Sequence, residues 1–143
     1  MFRGEHFHSV DLKGRMIVPA RFRDGLSDQF IITKGLDKCL FVFAMEEWRI
    51  IEQKIENLPM TDEGARKFLR FFFGAAFEAE HDAQGRALIP PNLRQYAGIT
   101  KDIVSVGVAR RIEIWSKEYY DDYMSGGESL DADIAAKMAA LGI

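Results

Sequence analysis

The alternation of apolar and polar residues predicts short strands in both halves of the chain. β-branched and aromatic runs predict two strand pairs, 30–34 with 39–43 and 102–106 with 111–115. Gly35 and Gly107 lie between the partners of each pair and are expected in the hairpin turns. A pattern of short strands joined by tight turns is typical of a β-rich domain.

Helical periodicity follows the first strand pair. Apolar residues at helical spacing predict a helix over about residues 45–58, which Pro59 ends. We expect Thr61 to cap a second helix that runs into the phenylalanine-rich segment 68–77. This segment is either part of the core or a contact between subunits.

Shorter helices are expected elsewhere. Pro19 and Pro90 suit the first position of a short helix, because proline cannot donate to a strand. Ser116 is placed to cap a helix that the pair Gly126-Gly127 interrupts. A final helix carries apolar residues on one side, Leu130, Ile134, Met138 and Leu141. It could pack on its own subunit or on a neighbour.

The chain contains an internal repeat. Asp11-Leu-Lys-Gly-Arg-Met-Ile-Val-Pro-Ala-Arg-Phe-Arg23 matches Asp82-Ala-Gln-Gly-Arg-Ala-Leu-Ile-Pro-Pro-Asn-Leu-Arg94 at an offset of 71, and residues 31–43 match 103–115 at an offset of 72. We assign residues 1–73 to a first repeat with a helical linker, and 74–143 to a second with a C-terminal helix. Each repeat is too short for an adequate core, so the two should share one.

Both repeats contain the turn Asp-x-x-Gly-Arg. Its aspartate, Asp11 or Asp82, can accept neighbouring backbone N–H groups. Its glycine, Gly14 or Gly85, supplies the left-handed φ that ends such a turn. Turn formation therefore explains the aspartate and the glycine, which we assign a supporting role.

Turn formation does not explain Arg15 and Arg86, which begin the returning strands. A guanidinium just after a tight turn suits a planar, bidentate contact to phosphate or to a guanine edge. Lys13 adds a charge to the first turn where the second has Gln84, so the first should bind anions more strongly. Solvated arginines in an ordinary surface hairpin are the alternative.

The distribution of charge separates the two ends of the chain. The 143 residues have a net charge of −3, which disfavours a protein that coats nucleic acid by bulk charge. Residues 118–143 carry −5, however, whereas the first 23 residues carry +3. The length excludes a large multidomain enzyme. One cysteine and no long apolar run predict a cytoplasmic chain without disulfides or membrane contact.

Motifs for catalysis or cofactor binding are absent from the sequence. His6, His8, His81 and Cys39 lack the spacing of metal ligands, so we predict no metal site. Glycine-rich phosphate loops are also absent. We therefore predict no enzyme activity, no cofactor and no small-molecule substrate.

The paired turns and the beginning Met-Phe-Arg-Gly closely resemble the MraZ family, within the broader AbrB/SpoVT-like superfamily. The resemblance covers essentially the whole chain. It implies an α+β, β-rich fold in which two AbrB-like repeats form a pseudo-twofold, swapped-hairpin β-barrel with peripheral helices. It also implies that subunits assemble into a homo-oligomeric ring.

The function implied by this resemblance is that of a bacterial transcriptional regulator found on the nucleoid. Such proteins bind direct repeats in double-stranded promoter DNA, upstream of the division and cell-wall gene cluster that contains their own gene. The expected DNA-binding residues are Arg15, Arg86, Lys13 and Arg3. The alternative is a ring-forming assembly or protein-interaction module without DNA binding.

Overall fold

A computed structural model describes residues 1–143 and shows the same order of elements twice. Each half contains two strands, a short helix, two strands and two helices. The first half consists of β1 (Phe2–Ser9), β2 (Arg15–Ile17), α1 (Ala20–Leu26), β3 (Gln29–Lys34), β4 (Leu40–Ala44), α2 (Met45–Ile55) and α3 (Glu63–Phe72). The second consists of β5 (Phe77–Glu80), β6 (Arg86–Leu88), α4 (Pro91–Tyr96), β7 (Asp102–Ala109), β8 (Arg111–Ser116), α5 (Lys117–Met124) and α6 (Gly127–Ala140).

Strands of the two halves are exchanged. The main sheet is antiparallel with the order β1-β7-β8-β4-β3-β5, so the first strand of each half pairs with the third strand of the other half. β2 and β6 form a separate two-stranded ribbon, again across the halves. The predicted α+β class and the strand exchange are confirmed. The six strands form an open sheet beside the ribbon, because β1 and β5 stand at opposite edges of the sheet.

The halves share one hydrophobic core, as the repeat predicts. Its 18 buried residues come from both copies of the repeat. Phe22 and Phe30 of the first half and Ile89 and Leu93 of the second are at most 1% exposed. These four side chains belong to one cluster, so their burial depends on the two halves packing against each other.

The phenylalanine-rich segment is only partly core. Phe72 of α3 is buried and packs against Phe43 and Trp48, with ring centroids 6.0 and 5.5 Å away. Phe68, one turn earlier, is 40% exposed. The segment therefore fixes α3 on the outer face of the sheet and leaves one aromatic ring at the surface.

Three predicted helix starts differ in detail. Asp62, and not Thr61, caps α3, because its Oδ2 accepts the N–H of Ala65 at 2.8 Å. Pro19 and Pro90 stand one residue before α1 and α4, with extended backbone angles, and so occupy the N-cap rather than the first helical position. The missing N–H of proline is tolerated at either place.

The predicted hairpin turn at Gly107 is wrong. Gly107 lies inside β7, and the turn is formed by Ala109, at φ 61°, with the residue that follows it. A Cβ at Gly107 would collide with the backbone of Arg3 in the neighbouring β1. Glycine is therefore needed here for close strand approach and not for a turn. Gly35 does stand in the turn between β3 and β4.

The final helix extends away from the rest of the subunit. As predicted, Ser116 caps α5, its Oγ accepting the N–H of Tyr119 at 3.4 Å. Only residues 125–126 join α5 to α6, whereas residues 56–62 join α2 to α3. No residue of α6 is buried, so this helix does not pack on the sheet as α3 does.

Candidate nucleic-acid interface

The first Asp-x-x-Gly-Arg turn, residues 11–15, is called loop 1. Asp11 Oδ1 accepts the backbone N–H groups of Lys13 and Arg15, both at 2.9 Å. The N–H of Gly14 donates to the carbonyl of Asp11 at 3.0 Å, which Gly14 permits by adopting a φ of 81°. One carboxylate oxygen and one glycine thus close the turn.

The second turn, residues 82–86, is called loop 2 and has the same geometry. Asp82 Oδ1 accepts the N–H groups of Gln84 and Arg86, both at 2.9 Å. Gly85, at φ 79°, donates to the carbonyl of Asp82 at 2.9 Å. The internal repeat in the sequence therefore becomes a structural repeat at the level of single hydrogen bonds.

The second carboxylate oxygen of each aspartate holds the arginine of its own loop. Arg15 Nε donates to Asp11 Oδ2 at 2.8 Å, and Arg86 Nε donates to Asp82 Oδ2 at 2.8 Å. Backbone hydrogen bonds from Arg15 and Arg86, with help from the guanidinium groups, hold the pKa of Asp11 and of Asp82 below its usual value. Each carboxylate stays ionised and positions a guanidinium through Nε alone.

The ribbon of β2 and β6 places both arginines on one face. Arg15 lies opposite Leu88, and Ile17 lies opposite Arg86, so these four side chains point the same way. The two arginines are diagonal neighbours on the ribbon, and their Cα atoms are about 7–8 Å apart. Met16 and its partner on β6 point into the core. The outward side of the ribbon, residues 15, 17, 86 and 88, is called the ribbon face; its Ile17 is 55% exposed and its Leu88 39% exposed.

Two further arginines lie beneath the loops, each supplied by the other half. A Cβ built on Gly14 would stand 2.6 Å from Cζ of Arg94, and one on Gly85 would stand 2.7 Å from Cζ of Arg23. Arg94 Nε donates to the carbonyl of Ile89 at 2.9 Å, and Arg23 makes the equivalent bond. Each loop therefore rests on a guanidinium of the opposite repeat.

Sequence reasoning did not assign Arg23 and Arg94 to the site. The signal was present, because both repeated blocks end in arginine at the same position. Their contact with the opposite loop depends on the strand exchange, which a local sequence pattern does not reveal. With them, five cationic side chains surround the ribbon face against two carboxylates.

The loops differ at their tips. Gln84 Oε1 accepts a hydrogen bond from Arg86 Nη2 at 3.2 Å, so Arg86 is held at two points. The corresponding Lys13 is exposed and forms no salt bridge, and both terminal nitrogens of Arg15 are without a protein partner. Loop 1 thus offers more unpaired positive charge than loop 2.

Arg3 does not join this cluster within one chain. It stands near the start of β1, opposite Val108, whereas loop 1 follows the far end of that strand. Arg3 and Ser9 are six positions apart in an extended strand, which corresponds to about 20 Å. The structure brings together Lys13, Arg15 and Arg86, and leaves Arg3 at the other end of the sheet.

The histidines and the cysteine occupy separate places. His8 Nε2 lies 2.7 Å from Oγ of Ser105, and His81 Nε2 lies 3.9 Å from Asp28. Cys39 is buried, and burial raises the pKa of its thiol. No group of three or more His, Cys, Asp or Glu side chains is arranged to hold a metal ion. None of the helices has both the length and the apolar character needed to span a bilayer.

Comparison with known proteins gives a consistent result. The profile of the family described as "MraZ protein, putative antitoxin-like" matches residues 1–71 and again residues 72–140. Similar curated proteins include one from Acetivibrio thermocellus, 55% identical over 144 residues, and one from Clostridium beijerinckii, 56% identical over 143 residues. Each alignment covers 100% of both chains, and each relative is named transcriptional regulator MraZ.

The two profile matches coincide with the two structural halves, and the identity extends over the full length of the relatives. Together with the duplicated loops that first indicated the resemblance, these matches show that the chain belongs to the MraZ family.

Proposed function

We propose that this chain is a DNA-binding transcriptional regulator whose ribbon face contacts double-stranded DNA. The observation that carries the proposal is the pair Arg15 and Arg86, each held through Nε by a carboxylate and carried side by side on an exposed two-stranded ribbon. The printed names of the relatives support the same function.

The chemistry of the ribbon face suits a DNA groove. A two-stranded ribbon fits the major groove of B-DNA, where arginine makes bidentate contacts to guanine and apolar groups contact the thymine methyl. Fixing Nε in advance reduces the side-chain entropy lost on binding, because the terminal nitrogens are already oriented. Lys13, together with Arg23 and Arg94 beneath the loops, adds positive charge that attracts phosphates.

The assembly completes this proposal. Copies of the chain form a homo-oligomeric ring that binds direct repeats upstream of its own gene, in the division and cell-wall gene cluster, so the protein is found on the nucleoid. The exposed apolar side of α6 supports association, because an isolated helix of this length is marginal in water. Weak contacts by single ribbons gain strength when several are linked. Arg3 is then a contact at the periphery of the ring.

An assembly module without DNA binding is the second candidate, and the unburied α6 favours it as much as it favours a ring. The two candidates differ in what Arg15 and Arg86 do. In a pure assembly module, these half-buried arginines have no role in binding DNA.

The test is the affinity for a duplex of the DNA upstream of the gene, measured at several salt concentrations. We expect Arg15→Ala/Arg86→Ala to weaken binding at least about tenfold, because each lost guanidinium removes a specific contact. The matched control is Arg49→Ala/Arg70→Ala, which removes the same charge from exposed positions in α2 and α3. Equal affinities of native protein and the Arg15/Arg86 variant, with unchanged mass in solution, would support the assembly module.

A further inference from the structure

Loops 1 and 2 are related by a local pseudo-twofold axis. Met16 and Ala87 are paired at the centre of the ribbon, and Arg15 and Arg86 lie at equal distances from that centre along the ladder. The N–H of Val18 donates to the carbonyl of Gly85 at 2.8 Å, and that of Ile89 donates to the carbonyl of Gly14 at 2.9 Å. The two ends of the ribbon therefore have the same backbone geometry.

B-DNA has a similar symmetry of its own. Its backbone looks the same when a duplex is turned end for end, and only the base sequence distinguishes the two directions. A ribbon with identical ends would bind an asymmetric site equally well in both orientations. Any preferred direction must therefore come from side chains that differ between the ends.

Within the loops, the two ends differ at two positions, Leu12-Lys13 in loop 1 and Ala83-Gln84 in loop 2. Beside the loops, His81 precedes loop 2 where the buried Val10 precedes loop 1. On the ribbon face itself, Ile17 and Leu88 are both aliphatic and exposed, so they differ little in chemistry. The amide of Gln84 holds Arg86, whereas the ammonium of Lys13 leaves Arg15 unrestrained on that side.

The two side chains act on different parts of DNA. An ammonium group is a point charge that binds phosphate, and phosphate contacts carry no sequence information. A glutamine amide has both donor and acceptor groups and is suited to base edges. With its Oε1 already accepting from Arg86, Gln84 retains two N–H donors for an acceptor on a base beside the one that Arg86 contacts.

We infer that Gln84 gives the ribbon a direction on DNA: loop 2 is the base-selecting end, loop 1 is the phosphate-binding end, and each subunit binds its site in one orientation. The inference rests on the proposed DNA binding and specifies which residues determine its direction. Subunits related by rotation in a ring present their ribbons in the same sense. Such an arrangement matches direct repeats and not inverted ones.

The test uses loops already present in the fold. Leu12→Ala/Lys13→Gln gives both ends the tip of loop 2, Ala83→Leu/Gln84→Lys gives both ends the tip of loop 1, and all four changes together exchange the tips. Every variant loop retains its Asp, Gly and Arg, so the hydrogen bonds of the turn are preserved. The variants therefore change the tips and leave the scaffold intact.

Direction is measured with full-length protein carrying an iron chelate on Asn92→Cys. Asn92 is exposed on α4, the helix whose Arg94 lies against loop 1, and the native Cys39 is buried and does not react. The duplex is the DNA upstream of the gene, labelled at one end, and the readout is which flank of each bound site is cleaved.

We expect native protein to cleave one flank at least about fivefold more strongly, the discrimination of one good base contact. Both proteins with identical tips should cleave the two flanks more nearly equally than native protein, although the two-lysine form binds more tightly and the two-glutamine form more weakly. The exchanged protein should cleave the opposite flank. A directional pattern that survives the exchange unchanged would overturn the inference. Absence of any binding by native protein would instead overturn the proposed function.

Discussion

Gly14 and Gly85 are required for two separate reasons. Each has a positive φ, 81° and 79°, at which a Cβ is strained. Each also faces a guanidinium of the opposite half, Arg94 or Arg23, which would have to move to admit a methyl group. These glycines therefore connect the shape of a loop to the packing of the other repeat.

Gly14→Ala should destabilise the protein by about 1–2 kcal/mol through φ and by about 1 kcal/mol more if the displaced Arg94 loses its bond to Ile89. Chemical denaturation of Gly14→Ala, Arg94→Ala and the double variant separates the two causes. If the clash is real, Gly14→Ala loses less stability in the Arg94→Ala background than in native protein. Strictly additive losses would mean that the guanidinium moves aside without cost.

His8 makes the stability of the fold depend on pH. Burial, and secondarily the neighbouring His6, lowers the pKa of His8 below 6.5. The unfolded chain therefore takes up a proton at a higher pH than the folded one. Above about pH 6.5 His8 is neutral in both states and does not lower the free energy of unfolding. As the pH falls below that value, protonation of the unfolded chain lowers this free energy.

We expect the free energy of unfolding of native protein to decrease between pH 7 and pH 5. In His8→Gln, which keeps a hydrogen-bonding group near Ser105, this part of the decrease should disappear. His81→Gln is the matched control, since His81 is at the other edge of the sheet. An identical pH dependence in native protein and His8→Gln would contradict the role of His8.

At the scale of elements, α3 is held to the sheet by few side chains. Only Ala65 and Phe72 of this helix are buried, and Phe72 packs in the aromatic cluster with Phe43 and Trp48. Phe68 stacks on Phe72 with centroids 5.4 Å apart but stays half in solvent. The attachment of α3 therefore depends mainly on one ring.

Phe72→Ala should lower the free energy of unfolding by about 3–5 kcal/mol, the usual range for a buried phenylalanine. Phe68→Ala, the matched control one turn away, should lose no more than about 1 kcal/mol. Urea denaturation of the two variants measures the difference. Similar losses would indicate that both rings are equally buried, for example in an interface between subunits.

The sequence predicts the strands, helices and turns better than it predicts which distant strands pair. The Asp-x-x-Gly-Arg loops follow from turn chemistry, because their hydrogen bonds lie within five residues. The prediction at Gly107 is wrong because the offset between the two repeats is not constant. Ile103 of β7 is equivalent to Phe30 of β3, an offset of 73, whereas β4 and β8 are related by an offset of 72. A sequence comparison that aligns Gly35 with Gly107 does not detect this change of one residue in the offset.

The site was predicted to the same extent and for the same reason. Each loop positions its own arginine, so Arg15 and Arg86 were identifiable from local pattern. Arg23 and Arg94 act on the loop of the opposite repeat and emerge only from the strand exchange. Arg3 was grouped with the loops by family resemblance, although β1 carries it to the distant end of the sheet.

At the scale of the whole molecule, the ribbon and α6 have opposite charge. The ribbon face is surrounded by cations, while α6 carries three acids against one lysine, a net charge of −2 within the −5 of the last 26 residues. On α6, Asp131 and Asp133 flank the apolar side formed by Leu130, Ile134, Met138 and Leu141. This arrangement leaves both the apolar side and the acidic groups of α6 unburied.

We expect Ile134→Asp/Met138→Asp to reduce the mass of the assembly in solution and to weaken DNA binding by at least about tenfold, because linked ribbons lose their mutual reinforcement. Ala132→Asp/Ala136→Asp adds the same charge to the opposite side of α6 and should change neither mass nor affinity beyond its electrostatic effect. Light scattering gives the mass. Unchanged mass for both variants would exclude α6 from the subunit contact.

The exchange of strands also has a consequence for the order of synthesis. β1 pairs with β7, so Phe2 has no strand partner until Ala109 has been synthesised. β2 likewise needs β6 to form the ribbon. At about 5–20 residues per second, the partner of the first strand emerges several seconds after it. A chain terminated early therefore has no ribbon at all, rather than a weak one. Under the proposed function, a product that ends before Arg86 cannot bind DNA through the ribbon.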